Sequence, residues 1–290
     1  MNKPIKINLA GFEQRTRAAV LRDVRAKGIK IASLLGNPES NPKTKKNKKD
    51  LVITYPLNLA PADESGFEVC PKRTAGCTLA CLNTAGNPLY LPAKLNARIQ
   101  RTLLFFLHRE LFYELLRIEI DAAFKKVEKM NLENPLKQFS AGFRLNCTSD
   151  LNYERLGRGS NAFKNKSVID YILQRGGLPY DYTKNPNRKP PAGYHLTFSL
   201  AENNDADALQ FLENKTGSVA VVFDTKRNKP LPDQFPILGK WFKVIDGDIT
   251  DYRPNDPAGC IIGLRAKGKA INDKSGFVRS TKQIELMGVA

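Results

Sequence analysis

From residue 143 onward the chain repeats one pattern: a short run of apolar, β-branched and aromatic residues ends in a polar side chain, a connection follows, and another run begins. The runs are FRLNCTSD (143–150), LPYDYTK (178–184), YHLTFSL (194–200), VAVVFD (219–224), WFKVIDGD (241–248) and CIIGLRAK (260–267). Near-continuous apolar strands mark a sheet buried on both faces, which usually means parallel strands under a cover of helices. An earlier run, LVITYPLNLAP (51–61), adds a first strand and makes seven. Seven strands with helical or loop crossovers predict an α/β fold of the irregular or incomplete β/α (TIM-like) barrel kind. Several spacings are too short for a crossover helix, so the barrel is expected to be irregular. The runner-up is an open doubly wound sheet, although no G-x-G-x-x-G turn follows any run to support a dinucleotide fold.

Helical periodicity occupies the remainder. Ile99, Leu103, Leu107, Leu111, Leu115 and Ile118 recur at spacings of three and four and predict one core-packed helix over 94–129. Residues 13–35 predict a basic amphipathic helix with Val20, Val24, Ile31 and Leu35 on its apolar side. The segment NPESNPKTKKNKKD (37–50) carries five lysines and no apolar residue, and reads as a solvated, mobile loop. The expected organisation is a basic N-terminal extension over 1–50 and a barrel-like domain over 51–290.

Charge adds a partner to this picture. Forty-six Lys and Arg stand against twenty-nine Asp and Glu, a net +17, which points to a polyanion: nucleic acid first, an anionic membrane surface second. The first fifty residues hold thirteen cations and four anions, 13 − 4 = +9, so over half of the excess sits in about a sixth of the chain. Lys43, Lys45, Lys46, Lys48 and Lys49, with Arg98, Arg144, Lys184, Arg265 and Lys267, are the expected contacts to DNA or another nucleic acid. No run approaches the 18 or so apolar residues that span a bilayer, and the first twenty residues lack an apolar core followed by a small-residue cleavage site. The cell interior is the expected location.

In a β/α barrel the working groups sit where strands run out at their C-terminal ends. The ends of the runs supply Asp150, Tyr182, Lys184, Ser199, Asp224, Asp246, Asp248 and Lys267. RLNCTSD and VIDGDITDYR each place a carboxylate directly after a buried run, where desolvation and nearby cations tune it as base, nucleophile or metal ligand. Asp150, Asp246 and Asp248 are therefore the candidate catalytic residues. Any strand also meets its loop through polar residues, and Asp-Gly is a common turn, so each position has a plain structural reading as well.

Three of the five cysteines fall within twelve positions, in CPKRTAGCTLAC (70–81). Reduced interior thiols and an odd count argue against a disulfide framework and return weight to a metal. Cys77 and Cys81, four apart, would share a helix face if CTLACLN is helical, with Cys70 arriving from the preceding loop. A C-x6-C-x3-C set offers three soft ligands. They suit a zinc completed by Cys147, Cys260, a histidine or a carboxylate, or a [4Fe-4S] cluster with one open iron. Lys72 and Arg73 would favour the thiolates; the alternative is three buried, reduced cysteines with no ligand. Cys147 and Cys260 lie in predicted strands and read as small hydrophobes. With only His108 and His195 present, a three-His zinc is excluded and a Ser-His-Asp triad is disfavoured; His108, inside the long helix, reads as structural.

Taken in order, the cysteine trio, NARIQRT, FRLNCTSDLNYE, YDYTK, YHLTFSLAENN, VAVVF and VIDGDITDYRPNDPAGCIIGLRAKGKA resemble the bacteriophage gene product 88 family over roughly Leu59 to Ala270. Similar phage proteins are grouped with DNA transglycosylases, which exchange guanine for a 7-deazaguanine base. That resemblance implies a β/α barrel, a carboxylate nucleophile at the sugar anomeric carbon, a second carboxylate for acid/base work, a structural zinc on three cysteines and a histidine, and the host cytoplasm as the setting. The chain departs from that pattern. Its trio precedes the strand series, the spacing is not C-x-C-x2-C, and no histidine follows at a suitable distance, so Asp150 and Asp246 rest on strand position and not on a family motif. The spacing also departs from the C-x3-C-x2-C of radical S-adenosylmethionine enzymes. The leading expectation is an enzyme modifying or exchanging DNA bases, with Asp150 as nucleophile or base and Asp246 or Asp248 as partner. The alternative is a non-catalytic protein binding single-stranded or duplex DNA, with the cysteines holding a structural metal.

Overall fold

The computed structural model describes residues 15–81 and 91–282. Its strands are β1 (Val52–Pro56), β2 (Ser140–Arg144), β3 (Leu178–Thr183), β4 (His195–Ser199), β5 (Val219–Phe223), β6 (Gln234–Ile237), β7 (Lys240–Asp246), β8 (Ile261–Arg265) and β9 (Val278–Arg279). Its helices are α1 (Arg17–Ala26), α2 (Ala75–Leu79), α3 (Leu91–Leu107), α4 (Arg109–Glu133), α5 (Val168–Gln174) and α6 (Asp205–Glu213). The strands form one sheet in the order β1-β2-β3-β4-β5-β8-β7-β6. β9 takes up the edge of β5 at Val222 and Phe223, beyond the point where β4 pairs with Val219 and Ala220. Every pairing is parallel except the β6–β7 hairpin, so the carboxyl ends of β1 to β5, β7 and β8 lie along one edge.

The α/β expectation holds, and the TIM-like closure does not. β1 and β6 are the two ends of the sheet, and no pairing joins them. The reason lies in what covers each face. On one face Ile53, Tyr55, Ala141, Phe143 and Leu196 pack with residues of α1, α3, α4 and α5, while Phe198, Val219, Val221, Phe223 and Ile261 pack with α6 and the hairpin. The other face of a closed barrel would be filled by strand side chains alone. Here it is covered by two segments from outside the sheet, 44–50 and 249–256. Asn47 donates to Thr54 Oγ1 at 2.9 Å and to the Tyr180 hydroxyl at 2.7 Å, and the Tyr252 ring stands edge-on to Tyr180 at 5.4 Å. These segments occupy the space that closure would need.

Three elements differ from the periodicity reading. The helix expected over 13–35 ends at Ala26, where Gly28 adopts φ +78° and the amides of Gly28 and Ile29 reach back to the carbonyls of Arg25 and Val24. This glycine stop satisfies the last carbonyls and sends Ile29, Ile31, Leu34 and Leu35 into the core as extended chain. The start of that expected helix, like residues 1–14 as a whole, lies outside the described residues. The helix expected over 94–129 is two helices that part at His108, and Leu107, expected in the buried stripe, is 56% exposed. β6 and β9 carry no long apolar run and were not expected.

The lysine-rich segment is not a free loop. Thr44–Asp50 forms a 3-10 turn, pinned by the fully buried Asn47. Nor does packing break at residue 50. Val20, Leu21 and Val24 of α1 share the larger core with β1 and α4, and Glu119 of α4 accepts from the amides of Leu34 and Leu35 at 2.9 and 2.8 Å.

Candidate functional site

The parallel register brings the expected site residues to the carboxyl edge of the sheet, where they fall into separate groups. Asp150 follows β2 and has three donors. Its Oδ2 accepts from Thr183 Oγ1 at 3.1 Å and the Lys184 amide at 2.8 Å, and its Oδ1 accepts from Arg188 Nη1 at 3.2 Å. Arg188 also donates to both oxygens of Glu154, at 2.9 and 2.6 Å, and to the Tyr194 hydroxyl at 3.0 Å. Tyr194 in turn donates to Asp181 Oδ2 at 2.8 Å, and the Asn146 amide donates to Asp181 Oδ1 at 2.7 Å. Burial pushes the Asp181 carboxyl up to about 7, against the pull of these bonds and of Arg188. Sequence reasoning missed Arg188, Glu154, Asp181 and Tyr194 as a unit. Arg188 stands in NPNRKPP, a segment with no apolar run beside it to mark the arginine as buried.

Asp246 and Asp248 close on the cations of β8. Arg265 Nη1 lies 2.9 Å from Asp246 and 3.1 Å from Asp248, Lys267 pairs with Asp248 Oδ1, and Lys46 donates to the Asp248 carbonyl. Burial pushes Asp248 upward, but Lys267 and Arg265 outweigh it and hold the carboxyl below its ordinary value. Lys184 donates to Ser199 Oγ at 2.9 Å and lies over the Phe277 ring.

The third group gathers on the Arg144–Asp251 ion pair. Arg144, at the end of β2, donates from Nη1 to both oxygens of Asp251, at 2.9 and 2.7 Å, and its guanidinium lies 4.6 Å from the Tyr182 ring centroid. Arg144 is buried, and its Nε has no hydrogen-bond partner. Lys43, half-buried at the start of the pinned turn, lies among Asp251, Arg144, Lys267 and Cys147. Burial lowers the pKa of its ammonium; Asp251 resists, and Arg144 and Lys267 add to the fall. Burial lowers the pKa of Arg98 on α3, with Cys147 and Cys81 within electrostatic reach opposing the fall. Three of the expected nucleic-acid contacts, Lys43, Arg144 and Lys267, thus lie within electrostatic reach of one another. Lys45, Lys48 and Lys49 stand exposed on the same turn, the first two loosely paired with Glu39 at 3.9 and 3.5 Å. Asp251 was visible in VIDGDITDYR as a further carboxylate after the run, but its partner across the sheet was not.

The cysteine segment adjoins this edge. Asp150 N donates to the Val69 carbonyl, Cys70 Sγ lies 3.8 Å from the Thr148 carbonyl, and Thr74 caps α2 through the Cys77 amide at 3.1 Å. Glu202 accepts from the Gly76 amide at 2.7 Å, and a Cβ on Gly76 would meet Ser275 Oγ at 2.2 Å, so the close approach requires glycine. α2 ends at Leu79, so Cys81 is not on the helix face expected for it. Arg73 does not offset the burial of Cys70. Arg73 is engaged by Glu68 and Asp63 at 2.7 and 3.0 Å, and burial pushes the Cys70 thiol up to about 12, with Cys81 and Cys77 adding to the rise. Among the described residues no group of three or more His, Cys, Asp or Glu is arranged to hold a metal ion. Cys70, Cys77 and Cys81, the expected zinc or iron–sulfur ligands, belong to no such group among the described residues.

The remaining thiols and histidines have local roles. Cys147 lies past the end of β2, where burial pushes its thiol up to about 12; Cys260 is buried just before β8. Burial, helped by Arg253, pulls His195 down to about 4, so its ring is neutral at pH 7.

The family model of gene product 88 matches residues 32–281. The chain belongs to the gene product 88 family. The match starts well before Leu59, so the gene product 88 region takes in the lysine-rich turn, the cysteine segment and all three polar groups. No curated protein and no solved structure matches the chain. Among the described residues no helix is long and apolar enough to cross a membrane.

Proposed function

We propose that this gene product 88 protein binds nucleic acid through its phosphates, using the lysine-rich turn and the cations beside it, as a binding protein and not as a base-exchanging enzyme. The observation that carries the reading is the pinning of the turn. Asn47 is fully buried, so Lys45, Lys48 and Lys49 are presented from an ordered backbone beside Lys43, which lies in electrostatic reach of Arg144 and Lys267. A fixed cationic surface loses less conformational freedom on binding than a mobile lysine loop, and each phosphate neutralised releases counterions.

Base exchange of the transglycosylase kind needs a carboxylate with a lone pair open to an anomeric carbon. Asp150 has three of its four acceptor positions filled, and Asp246 and Asp248 are ion-paired. Those engagements favour the binding reading.

Fluorescence anisotropy with single-stranded and duplex oligonucleotides across a salt series tests it. Binding should weaken linearly on a log–log salt plot, and Lys45, Lys48 and Lys49 changed together to Gln should flatten the slope by about 2 to 3, near 0.7 to 0.9 per phosphate contact. Absence of binding at low salt overturns the reading. So does base-exchange activity that Asp150→Asn or Asp246→Asn abolishes while the lysine changes leave binding untouched.

A further inference from the structure

We propose that the loop joining β5 to β6 is a second phosphate-contact segment, which continues the surface of the lysine-rich turn so that one nucleic-acid strand crosses both. The proposal rests on the nucleic-acid reading above and extends it to a part of the chain that reading does not use.

The loop reads DTKRNKPLPD over 224–233, with Lys226, Arg227 and Lys229 within four positions. All three are exposed, and among the described residues none of their side chains makes a hydrogen bond or an ion pair, with Asp224 and Asp233 of the same loop or with any other group. Asp224 instead accepts from the amide and hydroxyl of Thr281, both at 2.9 Å. The backbone beneath the cations is fixed. The Lys229 amide donates to the Lys226 carbonyl at 3.0 Å, and the Asp224 amide donates to the Arg279 carbonyl at 3.1 Å. Arg265 holds the Lys229 carbonyl with two donors, Nε at 3.2 Å and Nη2 at 3.0 Å. Three like charges held together repel, and an ordered turn denies them the freedom to move apart. An anion that settles there gains three contacts at little cost in lost motion.

The grip on Lys229 also places the loop. Arg265 pairs with Asp248 at 3.1 Å, and the Asp248 carbonyl accepts from Lys46 of the lysine-rich turn. Turn and loop are thus joined through two residues at the carboxyl edge of the sheet. Lys267, with 43% of its side chain exposed, pairs with Asp248 at that junction. Cations strung along an edge match the phosphates of a strand, which follow one another along a line, better than they match a single small anion.

Anisotropy with a single-stranded 20-mer across a salt series tests the proposal on three triple Gln variants. Lys226, Arg227 and Lys229 changed together should flatten the log–log slope by about 2 and weaken binding roughly 10- to 100-fold at about 150 mM salt. Combined with the changes at Lys45, Lys48 and Lys49, the loss of slope should be additive. The third variant, at Lys125, Lys126 and Lys129 of α4, removes the same charge from the opposite edge, where Asn131 of that helix meets Phe139 ahead of β2, and should leave the slope alone. All of these side chains are exposed, so the variants should fold. A loop variant with the wild-type slope, while the lysine-turn variant loses its own, overturns the proposal and leaves the nucleic-acid reading standing. Equal losses from the loop and α4 variants reduce the effect to net charge and overturn it too. Absence of oligonucleotide binding at low salt overturns both, and phosphatidylserine vesicles that bind instead would name a membrane surface as the partner.

Discussion

Around Arg188 every carboxylate has a hydrogen-bond donor. Its guanidinium serves Asp150, Glu154 and Tyr194, and Tyr194 passes the network on to Asp181. Around Lys43, a short way along the same sheet edge, cations outnumber carboxylates and Arg144 Nε points at no acceptor. Both regions are polar, largely buried and assembled from loops at strand ends, so neither composition nor position separates them. The sign of the excess charge does, carboxylates prevailing around Arg188 and cations around Lys43. A saturated network ties loops together and holds them, whereas an unsaturated one is maintained at a cost to stability, which is how binding sites depart from the rules that scaffolds obey.

The largest effect expected is at the saturated network. Arg188→Met removes the donor shared by two carboxylates, of which Glu154 is buried, and breaking such a pair costs about 3 to 5 kcal/mol. Urea denaturation should show the midpoint fall accordingly. A loss under about 1 kcal/mol would mean that the network is not the scaffold it is taken for.

Next in size is a pH dependence from the same network. Asp181 titrates at about 7 in the folded protein against an ordinary value of 3.8. A carboxyl whose folded value is raised favours folding below its unfolded value, and that contribution is lost as pH rises through the folded one. Stability should therefore decline by a few kcal/mol between about pH 4 and pH 8, and Asp181→Asn, which cannot ionise, should flatten the decline. A flat wild-type profile would place the ionised carboxylate comfortably in its bonds and remove the contrast with Lys43.

At Lys43 the sign reverses. Lys43→Met removes a cation that burial, Arg144 and Lys267 all disfavour, with Asp251 and, less, Cys147 opposing them. Stability should stay level or rise by about 0.5 to 1 kcal/mol, the usual result of removing a functional group held against its own stability. A loss of more than 1 kcal/mol would make Lys43 part of the scaffold.

The difference between the regions also marks how far the sequence could be read. Six runs, at β1, β3, β4, β5, β7 and β8, appear where the apolar pattern put them, because apolar strands leave a local signature. β2 is displaced to Ser140–Arg144, since NCTSD belongs to the polar loop that carries Asp150. Openness of the sheet was not legible: it depends on Asn47 and Tyr252 meeting Tyr180 from opposite ends of the chain. The basic residues were picked out by charge alone, and three of them, Lys43, Arg144 and Lys267, lie within electrostatic reach of one another. Which would be free and which neutralised depends on partners such as Asp248 and Asp251, and pairing across 107 residues, as between Arg144 and Asp251, has no periodicity to announce it.

The smallest effect separates the binding and catalytic readings most cleanly. Asp248 is partly exposed and pairs with Lys267 and Arg265, so Asp248→Asn should cost no more than about 1 kcal/mol at pH 7. Its folded value is depressed, so that cost is present above the unfolded value of 3.8 and vanishes as pH falls through the folded one, where variant and wild type should converge. The same change frees Lys267 and raises the positive charge of this edge. Affinity for a single-stranded oligonucleotide should then rise 2- to 5-fold at low salt, and the gain should shrink as salt screens it. A carboxylate that performed chemistry would give the opposite result, a loss of turnover with binding little changed, because the group would act on the substrate instead of competing with it for Lys267.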